Sequence, residues 1–182
     1  MGSLALKVED LPHYTYEDYV QWEGRWELIH GIPYAMTPGP RIIHQWISNK
    51  INWQLMELLK NCTKCKALPP VDWPIAEDTV VQPDVIVVCG DDIGETKLEI
   101  TPVVVFEILS PATSRRDKIV KYALYEEAGV KYYCIIDPKT ESADVFVLRK
   151  DKFNQTEAFE ADGMFFDLGP CRIKFDFKKI FG

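Results

Sequence analysis

Apolar residues recur every three or four positions along residues 41–60, RIIHQWISNKINWQLMELLK. Ile43, Trp46, Ile47, Ile51, Leu55 and the Leu58/Leu59 pair mark one face of a long helix. Upstream, RWELIHGIPYAM alternates apolar and polar residues on both sides of Gly31, which predicts a β-hairpin turning at His30-Gly31. A short helix precedes it, with Thr15 as cap, Asp18 at the capping-box position and an end near Trp22. Pro38-Gly39-Pro40 breaks the chain before the long helix. Residues 71–75, 84–89 and 102–109 read as strands, and the last two are almost wholly apolar, as strands covered on both faces are. Ser114 is placed to cap a second helix over 115–128, which Gly129 ends. KYYCIID, stopped by Pro138, is a further strand. SADVFVLRK and FNQTEAFE alternate and suggest a closing hairpin, and the C-terminus suggests a short helical turn. The order predicts an α/β fold (an α+β mixed sheet) in one domain over residues 1–182.

At 182 residues and 47% hydrophobic, the chain suits a single core. No apolar run reaches the roughly 20 residues that span a bilayer, so no membrane partner is expected. MGSLALKVEDLPHY lacks the basic region and apolar core of a signal peptide, which predicts a cytoplasmic location. The five cysteines are then expected to be reduced thiols. A net charge of −7 argues against constitutive non-specific nucleic-acid binding, but not against a local basic or metal-dependent site.

Two carboxylates interrupt apolar runs: Asp84 in VVQPDVIVV and Glu107 in VVVFEILSP. A lone ionised carboxylate is costly to remove from water, so it is paired, hydrogen-bonded, protonated or metal-bound. Strand alternation puts Glu107 on the face of Val105 and Leu109. If the two strands are neighbours, Asp84 and Glu107 converge. Their repulsion at about 4 Å, roughly 4 kcal/mol at an effective dielectric near 20, is relieved by a divalent cation. Carboxylate oxygens suit Mg²⁺ or Mn²⁺.

QPD followed by FEIL resembles the PD-(D/E)XK nucleases. The ordered set WELIHG, PRIIHQ, QPDVIVV, FEILSPAT and RRDKIVKYALYEEAGVKYYCIIDP, over residues 15–150, resembles the Uma-type family of candidate bacterial restriction endonucleases. The resemblance implies a restriction-endonuclease-like core with flanking helices and an N-terminal β-hairpin. It also implies divalent-metal-dependent hydrolysis of phosphodiester bonds, with DNA as the expected substrate. Asp84, Glu107 and the Ile108 carbonyl would bind the metal. The superfamily lysine expected two residues after Glu107 is replaced by Leu109, and in the Uma-type pattern the aligned lysine is Lys121 on the following helix. Lys118, one turn away, is the alternative. Glu27 of WELIHG matches a family signature and is a candidate third acidic group. His44 and Gln45 match as candidate substrate contacts. A homodimer would suit cleavage of two strands, although no oligomerisation motif is legible.

Each residue has a plainer reading. Asp84 suits a strand end accepting backbone hydrogen bonds, Glu27 a salt bridge, and Asp117 with Lys121 an exposed i,i+4 ion pair. A catalytically silent accessory or binding module on the same fold is the alternative function. Cys62 and Cys65 form a CxxC, but a zinc site needs two further ligands, and Cys89, Cys134 and Cys171 are scattered singly. The expectation is that the pair binds no zinc.

Overall fold

The protein is described here by a computed structural model, covering residues 12–36, 41–111, 113–156 and 163–181. The Pro38-Gly39-Pro40 break and the end of the closing hairpin lie outside the described residues.

Helix α1 (Tyr16–Tyr19) starts where Thr15 donates its N–H to the Asp18 carboxylate at 2.9 Å, and it ends one turn before the expected Trp22. Strands β1 (Trp26–Ile29) and β2 (Ile32–Ala35) form the expected hairpin. His30 and Gly31 both have positive φ (51° and 74°), as the favoured two-residue hairpin turn requires. Helix α2 (Ile42–Leu59) follows. Its buried face is Ile47, Ile51, Gln54, Leu55 and Leu59, whereas Ile43 and Trp46 are 45% and 55% exposed. Their expected burial is corrected: the first turns of α2 border an open cleft, lined by Ile43 and His44, and only the later turns dock on the sheet.

Short strands β3 (Cys65–Leu68), β4 (Trp73–Ala76) and β5 (Thr79–Val81) come next, then β6 (Val85–Cys89) and β7 (Val104–Ile108). A π-helical segment, Arg116–Lys121, runs directly into α3 (Tyr122–Glu127), and Gly129 with φ 81° ends it as expected. Ser114 is already helical and does not cap. Ser110 Oγ accepts the Thr113 N–H at 3.3 Å ahead of it, so the helix begins earlier. Strands β8 (Tyr132–Asp137), β9 (Ser142–Arg149) and β10 (Lys152–Thr156) complete the central sheet. β11 (Met164–Asp167) and β12 (Arg172–Phe175) form a separate hairpin before a 3₁₀ turn at Phe177–Ile180.

The central sheet has the order β10-β9-β8-β7-β6-β3 and is antiparallel except for the β7/β8 pair. It is therefore the mixed sheet expected. The segment ending in α3 makes the crossover between the two parallel strands. A second sheet, β2-β1-β5-β4, contains the N-terminal hairpin. One face of the central sheet (Val85, Val87, Phe106, Ile108) packs under α2 and the β11/β12 hairpin. The other (Ile86, Val88, Val105, Leu109) packs under α3. Glu107 falls on this second face by alternation, between Val105 and Leu109.

Candidate active site

Strands β6 and β7 run antiparallel with Val85 opposite Phe106, and the same register carried one step further sets Asp84 opposite Glu107. Side chains directly opposed in such a pair start from Cβ atoms about 4.5–5.5 Å apart. The Ile108 N–H donates to Asp84 Oδ2 at 2.8 Å, so the strand-end reading of Asp84 describes a real contact. His44 Nε2 lies 3.1 Å from the same oxygen. Burial alone would lower the His44 pKa, but Asp84 outweighs it and the net shift is upward.

The second half of the cluster is built on Lys121. Its Nζ lies 2.8 Å from Glu107 Oε1 and 2.7 Å from Glu27 Oε1, with Asp117 Oδ1 at 3.8 Å. The plainer reading of an exposed ion pair does not hold: Asp117 is 2% and Lys121 3% exposed, because the π-helical segment turns both toward the cleft floor. Lys118, in the same segment, is exposed and lies outside the cleft lining. A π turn holds more residues than an α turn, so a position three residues away faces elsewhere. Leu109 packs in the core under α3 at the edge of the cleft.

Glu27 is fully buried in β1, and Gln82 donates its backbone N–H to Glu27 Oε1 at 3.0 Å. Arg116 Nη2 approaches Glu27 Oε2 at 3.4 Å while its guanidinium lies over the Tyr34 ring. Tyr125 Oη donates to Glu107 Oε1 at 2.7 Å. Arg116 and Tyr125 were not singled out as site residues by sequence reasoning. The signal for Tyr125 was its position one turn beyond Lys121.

Burial pushes the Glu107 carboxyl well above the usual carboxylate range, and Lys121 pulls it back only partly. Asp117 is raised for the same reason. Burial alone would lower Lys121, but Glu107, Glu27 and Asp117 outweigh it and hold the ammonium above its ordinary value. Lys121 is accordingly charged. Burial also pushes the Tyr125 phenol far up, so it serves as a donor.

These residues fit a hard cation. Among the described residues, the hydrogen bonds to Asp84 fall on Oδ2 and those to Glu107 on Oε1, which leaves Asp84 Oδ1 and Glu107 Oε2 for a cation. Glu27 Oε2 and Asp117 Oδ1 are buried without a hydrogen-bond partner. Each still has a cation within ion-pair reach, Arg116 at 3.4 Å from Glu27 Oε2 and Lys121 at 3.8 Å from Asp117 Oδ1. Among the described residues, no three carboxylate or imidazole atoms meet within 4.8 Å, so water would complete a shell built on Asp84 and Glu107. The Ile108 backbone stands beside His44, which brings it to the same corner. The cleft holds about 1350 Å³, and its lining includes the cations Arg25, Arg41, Arg116 and Lys139 together with the carboxylates Asp72 and Asp137. Gln45 lines the same cleft.

Elsewhere, Cys62 bonds Cys171 and Cys65 bonds Cys89, while Cys134 is a buried free thiol. The expectation of five reduced thiols is corrected: the fold sets the scattered Cys89 and Cys171 against the CxxC.

A family profile described as "Putative restriction endonuclease", Uma2, matches residues 16–169. Among solved structures, the fold is similar to "a putative nuclease belonging to DUF820" from Anabaena variabilis ATCC 29413. The TM-score is 0.73 and the identity 18%, over 92% of this chain and 97% of that chain. At that identity the likeness concerns the fold. No curated protein matches the sequence. No helix among the described residues is long and apolar enough to cross a membrane.

Proposed function

The chain belongs to the Uma2 family, and from that premise we propose that it is a divalent-metal-dependent endonuclease hydrolysing phosphodiester bonds of DNA. The carrying observation is Lys121: fourteen residues beyond Glu107, it delivers its ammonium to 2.8 Å from that carboxylate, where Leu109 supplies none. Asp84 and Glu107 would hold Mg²⁺ or Mn²⁺ through their available oxygens, with the Ile108 carbonyl as a further ligand. When bound, such an ion supplies charge stabilisation at the phosphate and acidifies a water.

The chain's own groups then divide the remaining work. A lysine ammonium has three donors. Glu107 accepts one of them, Glu27 and Asp117 pair with the ammonium at 2.7 and 3.8 Å, and the remaining donor capacity would meet a water or a phosphate oxygen in the cleft. Glu27 and Tyr125 fix the positions of Lys121 and Glu107 and are positioning residues. His44 orients Asp84. The arginines of the cleft wall attract the phosphate backbone, and Gln45 lies where it would meet the substrate. In the reaction, water oxygen bonds to phosphorus, the phosphorus bond to the leaving oxygen breaks, and that oxygen takes up a proton.

A second reading, a silent binding module, is favoured by one observation: Lys121 is already engaged by two glutamates. Incubating supercoiled plasmid and a structured RNA with Mg²⁺, Mn²⁺ or EDTA decides between them. Metal-dependent nicking or linearisation that disappears in Asp84→Ala supports the nuclease. No cutting under any condition, with DNA still bound, supports the module. RNA cutting without DNA cutting overturns the substrate assignment.

A further inference from the structure

Four cysteines from three places in the chain lie together on the side of the central sheet that carries α2. Cys62 follows the end of α2, Cys65 opens the edge strand β3, Cys89 ends β6, and Cys171 lies in the turn between β11 and β12. The sulfurs of Cys62, Cys65 and Cys171 all lie within 4.8 Å of one another, and that of Cys89 is bonded to the Cys65 sulfur. The two disulfides are therefore one cluster. We propose that in the reduced chain these four cysteines form a tetrathiolate zinc site that joins α2, the sheet edge and the C-terminal hairpin.

Structural zinc is held tetrahedrally by four ligands at about 2.3 Å for sulfur, which sets neighbouring sulfurs roughly 3.8 Å apart. The Cys65 sulfur lies within 4.8 Å of the bonded Cys62–Cys171 pair, and Cys89, outside that group, is tied to it through its bond to Cys65; opening each disulfide lets its two sulfurs separate toward that spacing. Backbone contacts independent of the sulfurs hold the supporting loops. Cys65 N–H donates to the Cys62 carbonyl at 3.1 Å, which closes the CxxC turn. Gly90 N–H donates to the Lys64 carbonyl at 2.9 Å, and Leu168 N–H to the Cys171 carbonyl at 2.9 Å. Lys64, inside the CxxC, pairs with Asp91 beyond Cys89 and ties the same two loops. Cys62 and Cys65 are buried whereas Cys89 and Cys171 are partly exposed, which gives an ion a route in. The objection that a CxxC offers only two ligands is met by the fold, which supplies the other two.

The chemistry balances. A phosphine reductant with water delivers two electrons and two protons to each disulfide and gives four thiols. One Zn²⁺ then displaces four protons and binds four thiolates. Thiolate is the ligand form, so affinity rises with pH.

The test uses the full chain, reduced by a phosphine and kept anaerobic. Zinc is counted by elemental analysis after dialysis, and the same chain is titrated with Co²⁺. The expected result is one zinc per chain, a sulfur-to-cobalt charge-transfer band and intense visible bands of tetrahedral cobalt. Cys171→Ser and Cys89→Ser are each expected to weaken binding by more than the roughly 10–100-fold that loss of a merely supporting partner costs. Asp84→Ala is expected to leave the zinc count unchanged, which separates this site from the acidic cleft. Absence of zinc and of cobalt bands in the reduced, folded wild-type chain overturns the proposal, as does undiminished binding in Cys89→Ser. If a serine variant fails to fold, the wild-type cobalt spectrum and zinc count still decide.

Discussion

Strand β6 carries a chemically distinct cluster at each end. Asp84 stands just before its first residue and Cys89 is its last. At the Asp84 end, oxygen and nitrogen groups from β1, β7, α2 and the π-helical segment converge, with Glu27, Glu107, Asp117 and Lys121 buried and Asp84 and His44 partly buried. At the Cys89 end, sulfurs converge from the end of α2, the sheet edge and the C-terminal hairpin. Both clusters follow from the antiparallel partners on either side of the strand. β7 brings Glu107 opposite Asp84, and β3 brings Cys65 opposite Cys89. They differ in what holds them. The cysteine end is covalent and can be opened by a reductant. The acidic end depends on one ammonium that cannot be removed without leaving buried carboxylates unpaired.

The largest effect is expected at the sulfur end of the oxidised chain. The Cys62–Cys171 bond closes a separation of 109 residues, and chain entropy for a loop of about that length gives roughly 4.7 kcal/mol. Cys171→Ser is expected to lower unfolding free energy on that scale in a urea titration. A loss of less than about 1 kcal/mol would show that the covalent link adds little beyond packing.

Lys121→Met is expected to cost about 3–5 kcal/mol, because it strands Glu27 and Glu107 in the interior. Cleavage should fall with it by roughly 100-fold or more. Lys118→Met, on the same segment but exposed, is expected to stay within about 0.5 kcal/mol of wild type and to keep its activity. Equal losses in both variants would mean that Lys121 acts only as charge. A smaller effect than that of Lys121→Met separates the two supports of Glu107. Tyr125→Phe removes one hydrogen bond to the Glu107 carboxyl and should cost about 0.5–1.5 kcal/mol. Cleavage that survives in this variant fits a positioning role for Tyr125.

These contrasts also explain what could be read from the chain. The Thr15/Asp18 start, the His30-Gly31 turn, α2, β6, β7 and the Gly129 stop were legible because each rests on local rules of capping, turn chemistry or periodicity. The strands β3, β5, β11 and β12 were missed because three or four residues carry too little alternation to stand out. Asp84, Glu107, Lys121 and Glu27 were legible through the ordered motifs. The burial of Lys121 was not, because it depends on a π-helical segment that an α-helical periodicity misreads. The cysteine pairing was illegible for a general reason: spacing alone does not give connectivity. Ile43 and Trp46 misled because a helix can show an apolar face that the fold leaves partly open.

The central claim is that Asp84 and Glu107 form a cation site governed by Lys121. Its most direct test is a calorimetric titration of the oxidised chain with Mn²⁺, since in that state the cysteines offer no thiolate. One equivalent bound by the wild-type chain and none by Asp84→Asn at the same free Mn²⁺ is the expected result. Equal binding by both chains, or none by either while DNA is still cut, would contradict it.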